Sequence, residues 1–352
     1  KDGWYYLLCA EGGTGYNHSE VVFRSRSLNE PFVPSDKNPI LTQRQLDPNR
    51  NDPVTTTGHA DLVEAKDGQW WGVFLGCRPY EGDYYNTGRE TFMAPVTWRD
   101  GWPLFDLGGE EVKYNYPIHA IPDASLERFN GNYHFKDDFK KRSLNIRYSF
   151  LRTVSDKWYA VDSKTGTLSI KVRPETCSGT SNPSFVAFRQ PHQYGFAATS
   201  LHFTAGTENE KAGLIVFQNE THYYYLCRSV KGQKPVVELW MGAGSKKDSG
   251  QVLLASKLLK RGSGGLRLKI AGKGDKYAFY YAQANHKWNL LLDNADARFL
   301  STKEAGGFVG CMYALYATSG GQPSDNTAYY KWFEIQNDDT VYKKDNAQKA
   351  RL

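Results

Sequence analysis

Asp2-Gly3-Trp4-Tyr5-Tyr6-Leu7 and, further along, Asp67-Gly68-Gln69-Trp70-Trp71-Gly72-Val73 follow one pattern, a tight-turn dipeptide running into an aromatic-rich apolar stretch. Asp-Gly suits a turn that needs positive φ, and aromatic residues suit pleated strands. The likeness continues: Glu20-Val21-Val22-Phe23 lies over Glu90-Thr91-Phe92-Met93, and Pro31-Phe32 loosely over Pro103-Leu104-Phe105. The repeated unit is several strands long and shows no helical period. Repeated four-stranded sheets are the sequence mark of a β-propeller, whose blades usually span about 40 to 50 residues. Residues 1–115 have room for two to three such blades, and a ring needs about four or more to close. The reading therefore predicts a partial propeller, with the missing N-terminal propeller segment lying upstream of Lys1. Lys1-Asp2-Gly3-Trp4 agrees, because it passes from a turn straight into a strand and is no signal peptide. Two unrelated hairpins with aromatic strands would look the same locally.

Tyr114 to Asp137, with Pro117 and Pro122 and no periodicity, predicts a connector, taken as 116–136. A second all-β region follows over 137–340, and a charged, frayed tail over 341–352. Its candidate strands include Leu168–Val172, Ser184–Phe188, Leu214–Phe217, Tyr223–Cys227, Val236–Trp240, Leu266–Ile270, Tyr277–Tyr281, Phe308–Leu315 and Tyr329–Ile335. Several alternate polar and apolar residues, as half-buried antiparallel strands do. With no repeat visible, they predict a jelly-roll β-sandwich, so the fold class is all-β throughout.

The composition narrows the function. Among 352 residues, 44 Lys and Arg against 38 Asp and Glu leave a net charge of +6, spread along the chain apart from Lys140-Lys141-Arg142 and Lys246-Lys247. That distribution does not suggest nucleic-acid binding. No apolar stretch approaches the roughly 20 residues of a membrane-spanning helix. Aromatics make up 14%, with 9 Trp and 23 Tyr, which suits strands and also sugar stacking. Cys9, Cys77, Cys177, Cys227 and Cys311 are widely spaced, with no zinc or CxxC pattern, and read as mostly buried thiols. They lean towards a reducing interior, and both a cytoplasmic and a periplasmic home stay open.

The residue most suggestive of chemistry is Glu11. In Ala10-Glu11-Gly12-Gly13-Thr14 a carboxylate ends the apolar strand Trp4 to Cys9 and enters a glycine turn, where backbone can approach a ligand. A surface turn carboxylate is the bland alternative. The wider series decides: that motif, then Phe23-Arg24-Ser25-Arg26-Ser27, Asn38-Pro39-Ile40-Leu41-Thr42, Gly58-His59-Ala60-Asp61 and Gly88-Arg89-Glu90-Thr91, resembles glycoside hydrolase family 43. Those are β-xylosidases and α-L-arabinofuranosidases. Asp137-Asp138-Phe139 and Ala212-Gly213-Leu214 resemble the concanavalin-like sandwich appended to many of them, so the likeness covers nearly the whole chain.

The resemblance implies a five-bladed propeller that hydrolyses glycosidic bonds with inversion, using a general acid, a general base and a third carboxylate that tunes the acid. Glu11 matches the general acid, which would have to stay protonated through partial burial and a nearby negative charge. The other two carboxylates lie upstream in the family, so neither Asp2 nor Asp61 is assigned to them. His59 matches a family histidine near the axis below the sugar, able to hydrogen-bond a carboxylate or help hold an ion or water. A core histidine is its alternative. Arg89 matches an arginine that reaches the sugar hydroxyls and the acid, with Glu90 on the opposite face of the strand. Arg78 is left open, the Trp70-Trp71 and Trp98 to Trp102 groups read as core packing, and the Phe308 region is a weak candidate for closing the pocket.

No cofactor is required for such chemistry. The family sandwich often carries a structural calcium, for which Asp137, Asp138, Asp338 and Asp339 are candidate ligands. The expected function is an exo-acting inverting β-D-xylosidase acting on xylo- or arabinoxylo-oligosaccharides. α-L-Arabinofuranosidase activity, or a non-catalytic carbohydrate-binding role, stands as the alternative. Relatives often assemble as homo-oligomers, though no interface is readable here.

Overall fold

In the computed structural model, which describes residues 1–117, 131–244, 250–260, 265–283 and 287–342, the Asp2-Gly3 turn does what its residue types require. Both residues hold positive φ, 49° and 74°, and feed β1 (Tyr5–Glu11). There follow β2 (Ser19–Ser25), β3 (Val33–Pro34), β4 (Leu41–Thr42), β5 (Thr55–Glu64), β6 (Trp70–Cys77), β7 (Glu90–Arg99) and β8 (Trp102–Phe105). Two four-stranded antiparallel sheets result: β1, β2 and β3 with β4 also on β2, and β5 through β8 in order. The repeat is thus structural, β1 answering to β6, β2 to β7 and β3 to β8.

The repeated aromatics knit the two sheets together. Tyr6 meets Trp98 edge-on at 5.0 Å between centroids, and Trp98 meets Trp70 at 5.2 Å. The Arg24 guanidinium lies over Trp4 and Trp102, at 4.5 and 4.1 Å, and donates to the Asp100 and Gly101 carbonyls. Tyr6 donates to the Gly101 carbonyl at 2.6 Å. Beneath this seam Leu41, Val54, Ala60, Phe74 and Ala94 form an apolar core drawn from both sheets. The motif residues Arg24 and Asn38 are therefore structural: the Asn38 amide exchanges two hydrogen bonds of 2.9 Å with the Val22 backbone.

Residues Lys1–Glu127 form one unit and Arg128–Leu352 the other. In the second, one sheet has the strand order Ser149–Phe150, Ser184–Arg189, Met312–Thr318, Lys211–Asn219, His222–Lys231, Lys234–Met241, Val252–Leu258. The other runs Tyr159–Asp162, Thr167–Lys171, Thr327–Asn337, Tyr194–His202, Leu266–Lys273, Lys276–Gln283, Asn289–Asp296, with His134–Asp137 also paired to Thr327–Asn337. Alternation builds the core: Leu266, Leu268 and Ile270 face inward while Arg267 and Lys269 do not. His222–Lys231 reads as a continuous apolar run because it is buried on both faces. Tyr224 and Leu226 enter the main core, while Tyr223, Tyr225 and Cys227 enter a second cluster with Cys177 and Phe185.

The strand expected from Phe308 begins only at Met312, since Gly306 and Gly307 both take positive φ and Phe308 is exposed. Pro122, the Lys246-Lys247 pair and the tail from Lys343 lie outside the described residues. All five cysteines are unpaired and four are buried, with the Cys77, Cys177 and Cys311 thiols pushed up to about 12 by burial. No helix among the described residues is long and apolar enough to cross a membrane.

Candidate active site

Antiparallel register sets Glu11, the last residue of β1, opposite Ser19, the first of β2. The loop between them turns on Gly12, at φ 75°, where a Cβ would lie 2.0 Å from the Asn17 carbonyl oxygen, so only glycine fits. Ser19 Oγ donates to Glu11 Oε1 at 3.1 Å, and Arg44 Nη2 lies 3.4 Å from the same oxygen. The Glu11 side chain is 42% exposed and its ionic partner is a guanidinium. The Glu11 carboxyl is thus partly buried, as expected, and the ionic partner beside it in this chain is a cation. Arg44 was not singled out from sequence; it sits 33 positions away on a loop, with no pattern to announce it.

Across the same loop, Arg89 Nη2 donates to the Thr14 carbonyl at 3.0 Å and to the Thr14 hydroxyl. Arg89 and Glu11 are therefore tied to one glycine loop from its two sides. The next residue, Glu90, turns the other way and accepts a bidentate pair from Arg78, at 2.8 and 2.6 Å, and the Thr87 hydroxyl at 2.9 Å. Arg78 is thereby bound to Glu90.

His59 is placed by an irregular stretch of β5. Thr56 and His59 both hold positive φ, 61° and 54°, and the β5–β6 register shifts between Thr55 and Gly58 and again before Asp61. Such non-glycine conformations cost about 1–3 kcal/mol each and persist only where the surroundings impose them. Here they do: Gly58 presses so closely on β2 that a Cβ would lie 2.9 Å from the Ser19 carbonyl. Glu20, buried at 1% exposure, accepts the Ala60 N–H at 2.9 Å. Burial raises the Glu20 carboxyl above its ordinary range, against the pull of the Ala60 and His59 N–H groups. His59 itself is exposed. A buried histidine nearby is His18, whose Nδ1 lies 3.2 Å from the Thr56 carbonyl and which burial holds below the ordinary imidazole range.

Ser19 is thus the common neighbour, touching Glu11 through its hydroxyl and backing Gly58 through its carbonyl. Sequence reasoning passed over Ser19, Glu20, His18 and Arg44. A lone carboxylate in the apolar run Ser19-Glu20-Val21-Val22 was the one available signal.

The four aspartates proposed as calcium ligands are each engaged with protein partners. Asp137 accepts the Phe139 N–H, Asp138 turns to Lys140, Asp338 caps Thr340, and Asp339 meets His192. No three His, Cys, Asp or Glu side chains among the described residues stand together in a way that could hold a metal ion.

Two four-stranded sheets followed in one chain by a two-sheet sandwich are also the arrangement to which the comparisons lead. Residues 1–103 match the model of the glycosyl hydrolases family 43, and residues 136–336 match the β-xylosidase C-terminal concanavalin A-like domain. This chain belongs to glycosyl hydrolase family 43. A xylosidase/arabinosidase of Butyrivibrio fibrisolvens is 35% identical over 342 residues, 96% of this chain and 63% of that protein. The non-reducing end α-L-arabinofuranosidase of Bacteroides ovatus is 34% identical over 95% of this chain and 60% of its own length. A solved family 43 structure from the Bacteroides ovatus xyloglucan PUL superposes with a TM-score of 0.84 at 34% identity, over 95% of this chain and 64% of that one. The chain therefore spans about three fifths of the length of these two curated relatives.

Proposed function

We propose that this chain carries the acid side of an exo-acting, inverting glycosidase site, and that the reaction is removal of terminal β-D-xylosyl units from xylo- or arabinoxylo-oligosaccharides. Glu11 is the general acid, and His59 and Arg89 bind the sugar. The observation that carries the reading is the glycine loop, which holds Glu11 at one end and takes the Arg89 guanidinium on Thr14. Ser19 and Arg44 anchor Oε1 and so fix the carboxyl plane, leaving Oε2 to carry the proton to the leaving oxygen. A carboxylate base must activate water on the far face of the sugar, about 6.5 to 9.5 Å from the acid. No carboxylate of the 352 residues is assigned that role, so the 352-residue chain should turn over 4-nitrophenyl β-D-xylopyranoside far more slowly than a polypeptide that supplies the base.

The test compares leaving groups in a polypeptide that supplies the base. Glu11→Ala should lose on the order of 10²–10⁴-fold on xylobiose, whose leaving oxygen needs a proton, and much less on the nitrophenyl glycoside, which leaves unaided. Equal losses on both substrates would remove Glu11 from the acid role. The second reading, α-L-arabinofuranosidase, is favoured by the activity for which the Bacteroides ovatus relative is named. Parallel rates on xylosyl and arabinofuranosyl substrates separate the two.

A further inference from the structure

The sandwich carries a cavity of about 390 Å³ that none of this chemistry uses. It lies on the outer face of the eight-stranded sheet: Leu168, Ile170, Leu201 and Tyr330 enter the core, so Thr167, Ser169, His202, Tyr329 and Lys331 point away from it. The volume falls within the roughly 300–1,000 Å³ usual for small-molecule sites.

Its floor is a fixed hydrogen-bonded row. Lys331 Nζ donates to Thr167 Oγ1 at 2.7 Å, Thr167 Oγ1 lies 3.1 Å from Thr165 Oγ1, and Thr165 Oγ1 donates to Asp162 at 2.7 Å. Above it, unspent groups converge. Lys331 uses one of its three N–H donors there, and neither the His202 ring nor the Tyr329 hydroxyl has a hydrogen-bond partner among the described residues. Tyr329 stands 46% exposed. Charges balance, one ammonium and one carboxylate, and burial with the Lys331 and Arg228 charges holds His202 below the ordinary imidazole range. A site with paired charge, interleaved hydroxyls and one exposed ring suits a ligand that is uncharged, rich in vicinal hydroxyls and apolar on one ring face.

We propose that this groove is a second, non-catalytic site for a neutral saccharide, one sugar unit of a polysaccharide stacking on Tyr329 while its hydroxyls meet Lys331, His202 and Asp162. The choice of arabinoxylan as probe rests on the proposed function; the site itself does not.

The experiment is native electrophoresis of the 352-residue chain through gels containing soluble arabinoxylan, with xylohexaose or inorganic phosphate as competitor. Wild type and Glu11→Ala should be retarded alike, and xylohexaose should release both. Tyr329→Ala should bind about tenfold more weakly and melt at the wild-type temperature because that side chain is exposed, and Lys331→Met should also weaken binding. An unretarded wild type, or full retardation of both groove variants, overturns the proposal. So does release by phosphate but not xylohexaose, which marks an anion site, or loss of retardation in Glu11→Ala alone, which moves the binding to the glycine loop. Turnover on xylobiose is a separate readout, so loss of either reading leaves the other standing.

Discussion

The hairpins β1–β2 and β6–β7 occupy the same place in the repeat, yet they solve the same problem differently. Each sets a glutamate near the start of its second strand, Glu20 in one and Glu90 in the other. Glu20 is fully buried and met by backbone N–H groups of the distorted β5, whereas Glu90 meets the fork of Arg78 and the Thr87 hydroxyl. The loops differ in kind too: one is drawn tight on Gly12 and ends on Glu11, while the other reaches across to present Arg89. The repeated strands supply two equivalent frames, and the chemistry is grafted on through the loops.

The comparison breaks most sharply at Gly12. Gly12→Ala adds a Cβ 2.0 Å from a backbone oxygen in a conformation L side chains avoid, and should cost about 3 kcal/mol, read from the urea midpoint. Gly13→Ala has the same sign of φ but open space around it, so about 1 kcal/mol is expected. Equal costs at the two positions would refute the close-approach account. Next in size, Arg78→Met strands Glu90 and should cost about 2 kcal/mol, less than a fully buried pair because Thr87 still donates to it and some water reaches it. A loss below about 0.5 kcal/mol would show that the pair is ornamental.

The smallest effect sharpens the contrast through pH. Because burial raises the Glu20 carboxyl, the folded chain holds its proton more tightly than the unfolded chain, whose ordinary value is 4.5. The associated stability is therefore present below that value and is lost as pH climbs through the raised folded one. Denaturant titrations from pH 4 to 8 should show wild type losing ground to Glu20→Gln as pH rises, since glutamine still accepts the Ala60 N–H and does not titrate. A difference that is flat, or grows in the wild type's favour, would overturn the assignment.

The fold was legible because its signals are local. Asp-Gly turns followed by aromatic strands announced β1 and β6, and alternation at Leu266 to Ile270 announced a half-buried strand. Where the signal was tertiary it failed. Arg44 reaches Glu11 from 33 positions away, and Glu20 is satisfied by backbone donors that exist only because β5 bulges around His59. Phe308 looked like strand core by residue type, but the glycines ahead of it leave it exposed. Motif residues were easier to find than to interpret: Arg24 and Asn38 hold strands and blades together, and Arg78 is bound to Glu90.

Arg24 gives the propeller unit a mechanical property. Its guanidinium is gripped between indoles belonging to both sheets and hydrogen-bonded to the turn that joins β7 to β8. Neither sheet can peel away without breaking that clasp, so amide protons of β2 and β7 should exchange with solvent as one cooperative foldon, and Arg24→Ala should uncouple them into two.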